Sequence, residues 1–261
     1  MISVLVWVVL GALILLTLLA VLSSVLLSTA MSMGGQPAGI GGGLLDRLGR
    51  IMRARLNAGA RPALRQVTLE TLQPGDAIEF WDGQHALVEQ VLDCTEELHG
   101  RLTRWQWVLL DTGAVLEIGR EGRRIFDQNV VFSQGSPEFE ALVADPERGG
   151  VLKTFEQRVR EGRSATEPVI YERDGLRWVV RSTGTFAATV RGRPLEREVW
   201  ADISSDPGQN VYFEMDAMAG NDPESGRAAG TRELLGIWTT HILLLYGRRL
   251  QETDITGLYG A

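Results

Sequence analysis

The sequence predicts a mainly β protein behind a single N-terminal transmembrane helix. Three observations carry this reading. A charge-free, largely apolar run spans 4–27, strand-like runs punctuated by Pro-Gly and Asp-Gly turns begin at residue 67, and part of that pattern restarts at an offset of 92 residues. The restart predicts two similar small antiparallel β-lobes, each a sheet or partly open barrel, with one or two short helices between them.

The anchor is assigned to residues 1–30. Val4–Leu27 is apolar apart from Thr17, Ser23 and Ser24, and as a helix it would be about 36 Å long. That crosses a hydrocarbon core of roughly 30 Å with some tilt. A cleaved signal peptide would have a basic start and a shorter apolar core, and this segment has neither. Met1-Ile2-Ser3 carries no basic side chain, whereas 46–65 holds six arginines and one aspartate. The positive-inside rule therefore puts the N-terminus outside and the domain in the cytoplasm, single-pass in the cell membrane.

A Gly-rich linker follows at 31–43, with six glycines and one proline between Met33 and Gly43. Leu44, Leu45, Leu48, Ile51, Met52 and Leu56 then recur at helical spacing, with Arg47, Arg50 and Arg53 on much of the other side. This predicts an amphipathic basic juxtamembrane helix over 44–62. Two surroundings suit it equally: anionic lipid headgroups, with 44–56 as the contact, or the β-domain, with the arginines solvated.

The first lobe is assigned to 67–135. Pro74-Gly75-Asp76 opens it as a turn, Ala77–Trp81 and His85–Leu92 flank Asp82-Gly83, and Thr103–Leu110 and Ala114–Ile118 flank Asp111-Thr112-Gly113. A helical connection at 136–164 begins at Ser136-Pro137-Glu138, which combines a cap, an N1 proline and first-turn acid. The second lobe takes 165–261. Ile170 to Val180 repeats Ile78 to Val88, and Asp206-Pro-Gly208 with Tyr212-Phe-Glu214 matches Asp111-Thr-Gly113 with Val115-Leu-Glu117, while Trp105 matches Trp200. Trp105, Trp107 and Trp200 are the candidates to line or seal a groove between the lobes, and packed aromatics favour sealing. Asp216–Arg232 is a polar loop and a candidate lid.

Leu72-x-Pro74-Gly75-Asp76, Trp105-x-Trp107-x-Leu109-Leu110, Asp111-Thr-Gly-x-Val-Leu-Glu117, Ile170–Val180 and Tyr246-Gly-Arg248 with Asp254-Ile255 together resemble a bacterial family of uncharacterised proteins, domain of unknown function 4178. The resemblance covers about 67–257. It departs at Leu116, where the family often has Trp, and in a longer loop at 220–230. It implies a bacterial source and an accessory role near other membrane proteins, and it brings no catalytic residues.

Composition narrows the chemistry. Residues 66–261 hold 20 basic and 32 acidic side chains, a net −12 that repels phosphate backbones and argues against nucleic acid. Cys94 is the single cysteine, so neither an internal disulfide nor a Cys-based zinc site is available. His85, His99 and His241 have no metal-ligand spacing, and no cofactor is expected. Val108–Ala114 resembles the aspartic-protease signature, with Asp111 as the candidate catalytic residue, although Asp-x-Gly is also ordinary turn chemistry. Glu117 and Glu214 hold matching repeat positions and would make a carboxylate pair, but the usual exposure of Glu favours surface strand ends. The leading expectation is a non-enzymatic, membrane-tethered binding or scaffold module that contacts the lipid bilayer and other membrane proteins. An Asp111 hydrolase and an anionic-lipid sensor are the alternatives.

Overall fold

The computed structural model describes residues 49, 51–52, 66–98, 100–120, 122–192, 198–203, 205–206, 208–218 and 232–260. The expected anchor, the linker, Arg47, Arg50, Arg53 and most of the candidate lid lie outside them. Among the described residues no helix is long and apolar enough to cross a membrane.

Strands β1 (Ala77–Phe80) and β2 (His85–Leu98) form the first hairpin, and β3 (Arg101–Leu110), β4 (Val115–Ile118) and β5 (Arg123–Phe132) continue the meander. Helices α1 (Pro137–Val143) and α2 (Val151–Arg160) follow. The Ser136 hydroxyl starts α1 by accepting the Phe139 N–H at 3.2 Å. A second meander comprises β6 (Ile170–Arg173), β7 (Leu176–Arg191), β8 (Asn210–Ala217), β9 (Arg232–Trp238) and β10 (Ile242–Arg249), with the single-turn helix α3 (Glu198–Ala201) between β7 and β8. The closing strand is β11 (Ile255–Tyr259).

The two meanders are not separate lobes. The first part of β2 pairs with β1, but Val91–Thr95 pairs with Arg191–Ala187 of β7. On the other side β5 pairs with β10. The eight strands β2-β3-β4-β5-β10-β9-β8-β7 thus close into one antiparallel barrel, four from each half. The physical reason lies in the edges. A free-standing lobe would leave one edge of β5 or β10, and of the second half of its long strand, unpaired, and closure pairs β5 with β10 and β2 with β7. Nor does the chain end stay with its own half: β11 crosses back to pair with β1.

The hairpin match holds. Asp82-Gly83 joins β1 to β2 and Asp174-Gly175 joins β6 to β7, equivalent positions in the strand order. Just inside each, one residue bulges, between Val88 and Gln90 and between Val180 and Ser182. The outer strands slip by one residue. Ile78 opposes Ala86, but Tyr171, not Ile170, opposes Trp178. The cause is loop length: Trp81-Asp82-Gly83 is a three-residue loop closed by Phe80 and Gln84, whereas Asp174-Gly175 is a two-residue loop with φ of 53° and 72°. The later matches fail, because Asp111 lies in the β3–β4 turn and Asp206 between β7 and β8, while Trp105 is on β3 and Trp200 on α3. By pairing, Leu109 opposite Gln90 corresponds to Glu214 opposite Ser182.

Among the described residues three large apolar cores result. The barrel interior holds Leu92, Trp105, Trp107, Phe126, Phe186, Tyr212 and Leu243, with Val199 of α3. Outside, Ile78, Val88, Leu110 and Leu116 pack together on the first half, and α1 and α2 cover Val180, Phe213, Met215 and Leu244 on the second. The described part of the juxtamembrane helix is helical at Gly49, Ile51 and Met52, and Ile51 is buried with Ala77 and Leu87 beside Tyr259.

Candidate functional site

Alternation along the strands sends charged side chains into the barrel. Trp107 of β3 opposes Glu117 of β4, which opposes Arg124 of β5. All three therefore share the inward face. On the other half, Glu214 of β8 opposes Ser182 and points inward beside Tyr212. The result is an ionic cluster at the end of the barrel that carries the β2–β3 and β4–β5 turns. α3, with Val199, Trp200 and Ile203 against the interior core, packs at the other end.

Arg124 is the centre. It is 1% exposed, and its Nη2 bonds one carboxylate oxygen each of Glu117 and Glu214. Its Nε donates to Glu117 at 3.0 Å and its Nη1 to Glu233 at 3.1 Å. Glu117 also accepts the Trp107 indole N–H at 2.9 Å, and Glu214 accepts the Ser182 hydroxyl at 2.5 Å. Outward from this centre, Arg181 reaches Glu214 at 3.2 Å and Asp216 at 3.9 Å, and Arg249 reaches Glu233 at 2.5 Å. Arg120 comes from the β4–β5 turn and lies over the Tyr212 ring, 3.9 Å from its centroid. Its ion pairs to Glu214 and Glu96 are looser, at 3.8 and 4.0 Å. The cluster grades from buried Arg124 to half-exposed Arg249 and Asp216, so it communicates with solvent.

The two central carboxyls are pushed apart in acidity. Burial dominates at Glu117 and raises its pKa, with Arg124 and Trp107 opposing. Burial also acts on Glu214, but there Arg124, Arg120 and the Ser182 hydrogen bond win and hold it down at about 2. Arg124 loses solvation yet is held firmly charged by Glu117 and Glu214. The Tyr212 hydroxyl is raised by burial, with Arg120 opposing and Glu96 reinforcing.

The expectation that Glu117 and Glu214 are surface strand ends is overturned: both are 1% exposed and share Arg124. Trp105, Trp107 and Trp200 do come together where the halves face each other. The Trp105 and Trp107 rings lie 5.9 Å apart and Trp107 and Trp200 6.3 Å apart, packed edge to face with Phe186 nearby. Asp111 sits elsewhere. Its carboxylate accepts the Leu87 N–H at 2.9 Å and its own N–H donates to the Leu87 carbonyl, tying the β3–β4 turn to β2. Cys94 is buried inside the barrel and its thiol pKa is raised by burial, then by Glu117 and Asp93. Among the described residues no group of three His, Cys, Asp or Glu side chains is placed to hold a metal ion.

Sequence reasoning missed Arg124, Arg120, Glu96, Tyr212 and Ser182. Strand parity was the available signal, since Arg124 shares a face with Phe126 and Glu117 with Val115. Comparison with known proteins adds no identity: no protein-family model, curated protein or solved structure matches this chain. The resemblance to domain of unknown function 4178 rests on its short motifs alone.

Proposed function

We propose that this protein is a membrane-tethered binding module whose rigid barrel presents its ionic end to a partner, with the apolar segment at 4–27 as the tether and the barrel in the cytoplasm. One observation carries the reading. A charge network runs from a fully buried guanidinium at Arg124 out to half-exposed Asp216 and Arg249, at the end of the barrel opposite the one packed by α3. Buried ion networks contribute little net stability, so this one fits a binding role better than a folding role. The hairpin and bulge equivalence supports an origin by duplication, with the two halves since specialised. Ile51 packs on the β-domain, which favours protein over lipid for that face of the juxtamembrane helix and weakens the lipid-sensor alternative.

The test is cross-linking in native membranes followed by purification of the full chain, beside the rim variant Asp216→Arg. A membrane protein recovered with the wild type and lost with the variant supports the reading. Repeated recovery of the chain alone, or of the same proteins with both, counts against it.

A further inference from the structure

Arg120 and Arg124 enter the same cluster in different ways. Arg124 projects from a strand and is fixed by hydrogen bonds to three carboxylates. Arg120 projects from the turn between Gly119 and Gly122, both at positive φ (111° and 107°). Glycines at both ends give this turn more backbone freedom than a strand has.

The surroundings of Arg120 are those of a cation receptor. Its guanidinium lies 3.9 Å from the Tyr212 ring centroid and 5.4 Å from that of Trp105. Its Nη2 donates to the Tyr212 hydroxyl, which in turn donates to Glu96 at 2.9 Å. The carboxylates of Glu214 and Glu96 stand 3.8 and 4.0 Å away, which is attraction without the paired bonds that a guanidinium fork makes at best. The buried indole N–H of Trp105 has no hydrogen-bond acceptor among the described residues. Opposite, Gly184 leaves room for the receptor: a Cβ there would overlap the Glu96 carboxylate and the Tyr212 hydroxyl. Two aromatic faces and two carboxylates around one loosely paired guanidinium is how proteins hold a cationic side chain supplied from outside.

We infer that Trp105, Tyr212, Glu96 and Glu214 form a recognition cage for the guanidinium of an arginine on a basic partner segment, and that Arg120 is its resident occupant, displaced on binding. This rests on the reading of the ionic end as a binding face and names the chemistry recognised there. Because the resident must leave first, wild-type affinity is reduced by the fraction of molecules with Arg120 withdrawn.

The experiment uses the full chain in detergent, as wild type, Arg120→Ala and Arg120→Ala/Glu96→Gln. It is titrated with methylguanidinium, with methylurea as the neutral control, and with a glycine-flanked arginine peptide and its citrulline counterpart. Tryptophan fluorescence and thermal shift report binding. Arg120→Ala should bind methylguanidinium saturably and ignore methylurea. It should also bind the arginine peptide about tenfold tighter than wild type and lose both ligands with Glu96→Gln. No saturable methylguanidinium binding by folded Arg120→Ala overturns the cage. Binding of methylguanidinium but not the peptide, or equal peptide affinity in wild type and Arg120→Ala, overturns the displacement by a partner. Should Arg120→Ala misfold, Arg120→Gln serves with the same outcomes. Failure of the membrane cross-linking test leaves these titrations standing, so the two readings fail separately.

Discussion

The two ends of the barrel are built from corresponding rows of residues and filled in opposite ways. In the first half, Trp107 opposes Glu117 and Glu117 opposes Arg124. In the second, Tyr212 opposes Ile237 and Ile237 opposes Leu243. Beside the bulges, Leu109 corresponds to Glu214. The ionic trio Glu117, Arg124 and Glu214 therefore has an apolar counterpart in Ile237, Leu243 and Leu109, all three buried in the interior core. The same architecture closes on hydrocarbon at those positions, so the fold itself does not require the ions.

The largest effect should come from breaking the ionic end at its centre. Arg124→Leu leaves Glu117 and Glu214 buried without their shared cation and should destabilise by about 3–5 kcal/mol in denaturant unfolding. A loss under 1 kcal/mol would mean that water already enters the cluster. The sharper test imports the other end's solution. Glu117→Ile/Arg124→Leu/Glu214→Leu leaves the remaining charges paired one to one, Glu233 with Arg249, Glu96 with Arg120 and Asp216 with Arg181. The triple variant loses the acceptors of Trp107 and Ser182, a cost of about 1–3 kcal/mol each that the gain in apolar packing partly offsets. It should recover at least half of the Arg124→Leu loss. A triple variant less stable than the single one would show that the two ends are not interchangeable.

What was legible in the sequence was local. Asp82-Gly83, Asp174-Gly175 and the Ser136-Pro137 helix start are read from adjacent residues, and each does in the fold what its chemistry dictates. Barrel closure was not legible, because the pairing of Val91–Thr95 with Arg191–Ala187 spans about a hundred residues and depends on strand length rather than composition. The one-residue slip of β6 against β1 was hidden because the two Asp-Gly turns look alike in sequence and differ in loop length, and such a slip reverses which side chains are buried. The ionic cluster was half legible. The repeat match paired Glu117 with Glu214, but the average exposure of glutamate argued for the surface, and the Arg124 that sits between these two carboxylates, 97 residues apart in the chain, was not read at all. Nothing near Arg120 in the sequence says that a turn side chain folds back over Tyr212.

A smaller effect is expected at Gly184, on the row that carries Tyr212. Gly184→Ala would drive a methyl group into the Glu96 carboxylate and the Tyr212 hydroxyl. Overpacking of this kind costs about 1–3 kcal/mol. Gly208, unlike Gly184, is at positive φ and has open space around its missing Cβ, so Gly208→Ala carries only the backbone cost of a left-handed residue. Thermal unfolding of the two variants should separate steric conflict from backbone strain. Equal losses would mean that Glu96 and Tyr212 move aside freely.

The smallest effect separates the two carboxyls that Arg124 holds, and its sign differs between them. Glu214 is depressed to about 2 in the folded protein, below the roughly 4.3 of an unfolded glutamate. Its stabilisation is present above that unfolded value and is lost as pH falls from about 4 towards 2. Glu117 is raised by burial, so the fold favours its protonated form. That contribution is present below about 4.3 and is lost as pH rises through the folded pKa. Each group contributes at most about 1.4 kcal/mol per pH unit while it titrates. Glu214→Gln should flatten the decline in stability below pH ~4. Glu117→Gln should leave that acid limb in place and remove the decline on the neutral side, so that its stability relative to wild type improves as pH rises from about 4.5. Denaturant unfolding across this range measures both slopes. If the two variants give parallel pH profiles, Glu117 and Glu214 titrate as one unit, and the opposed shifts assigned to them are wrong.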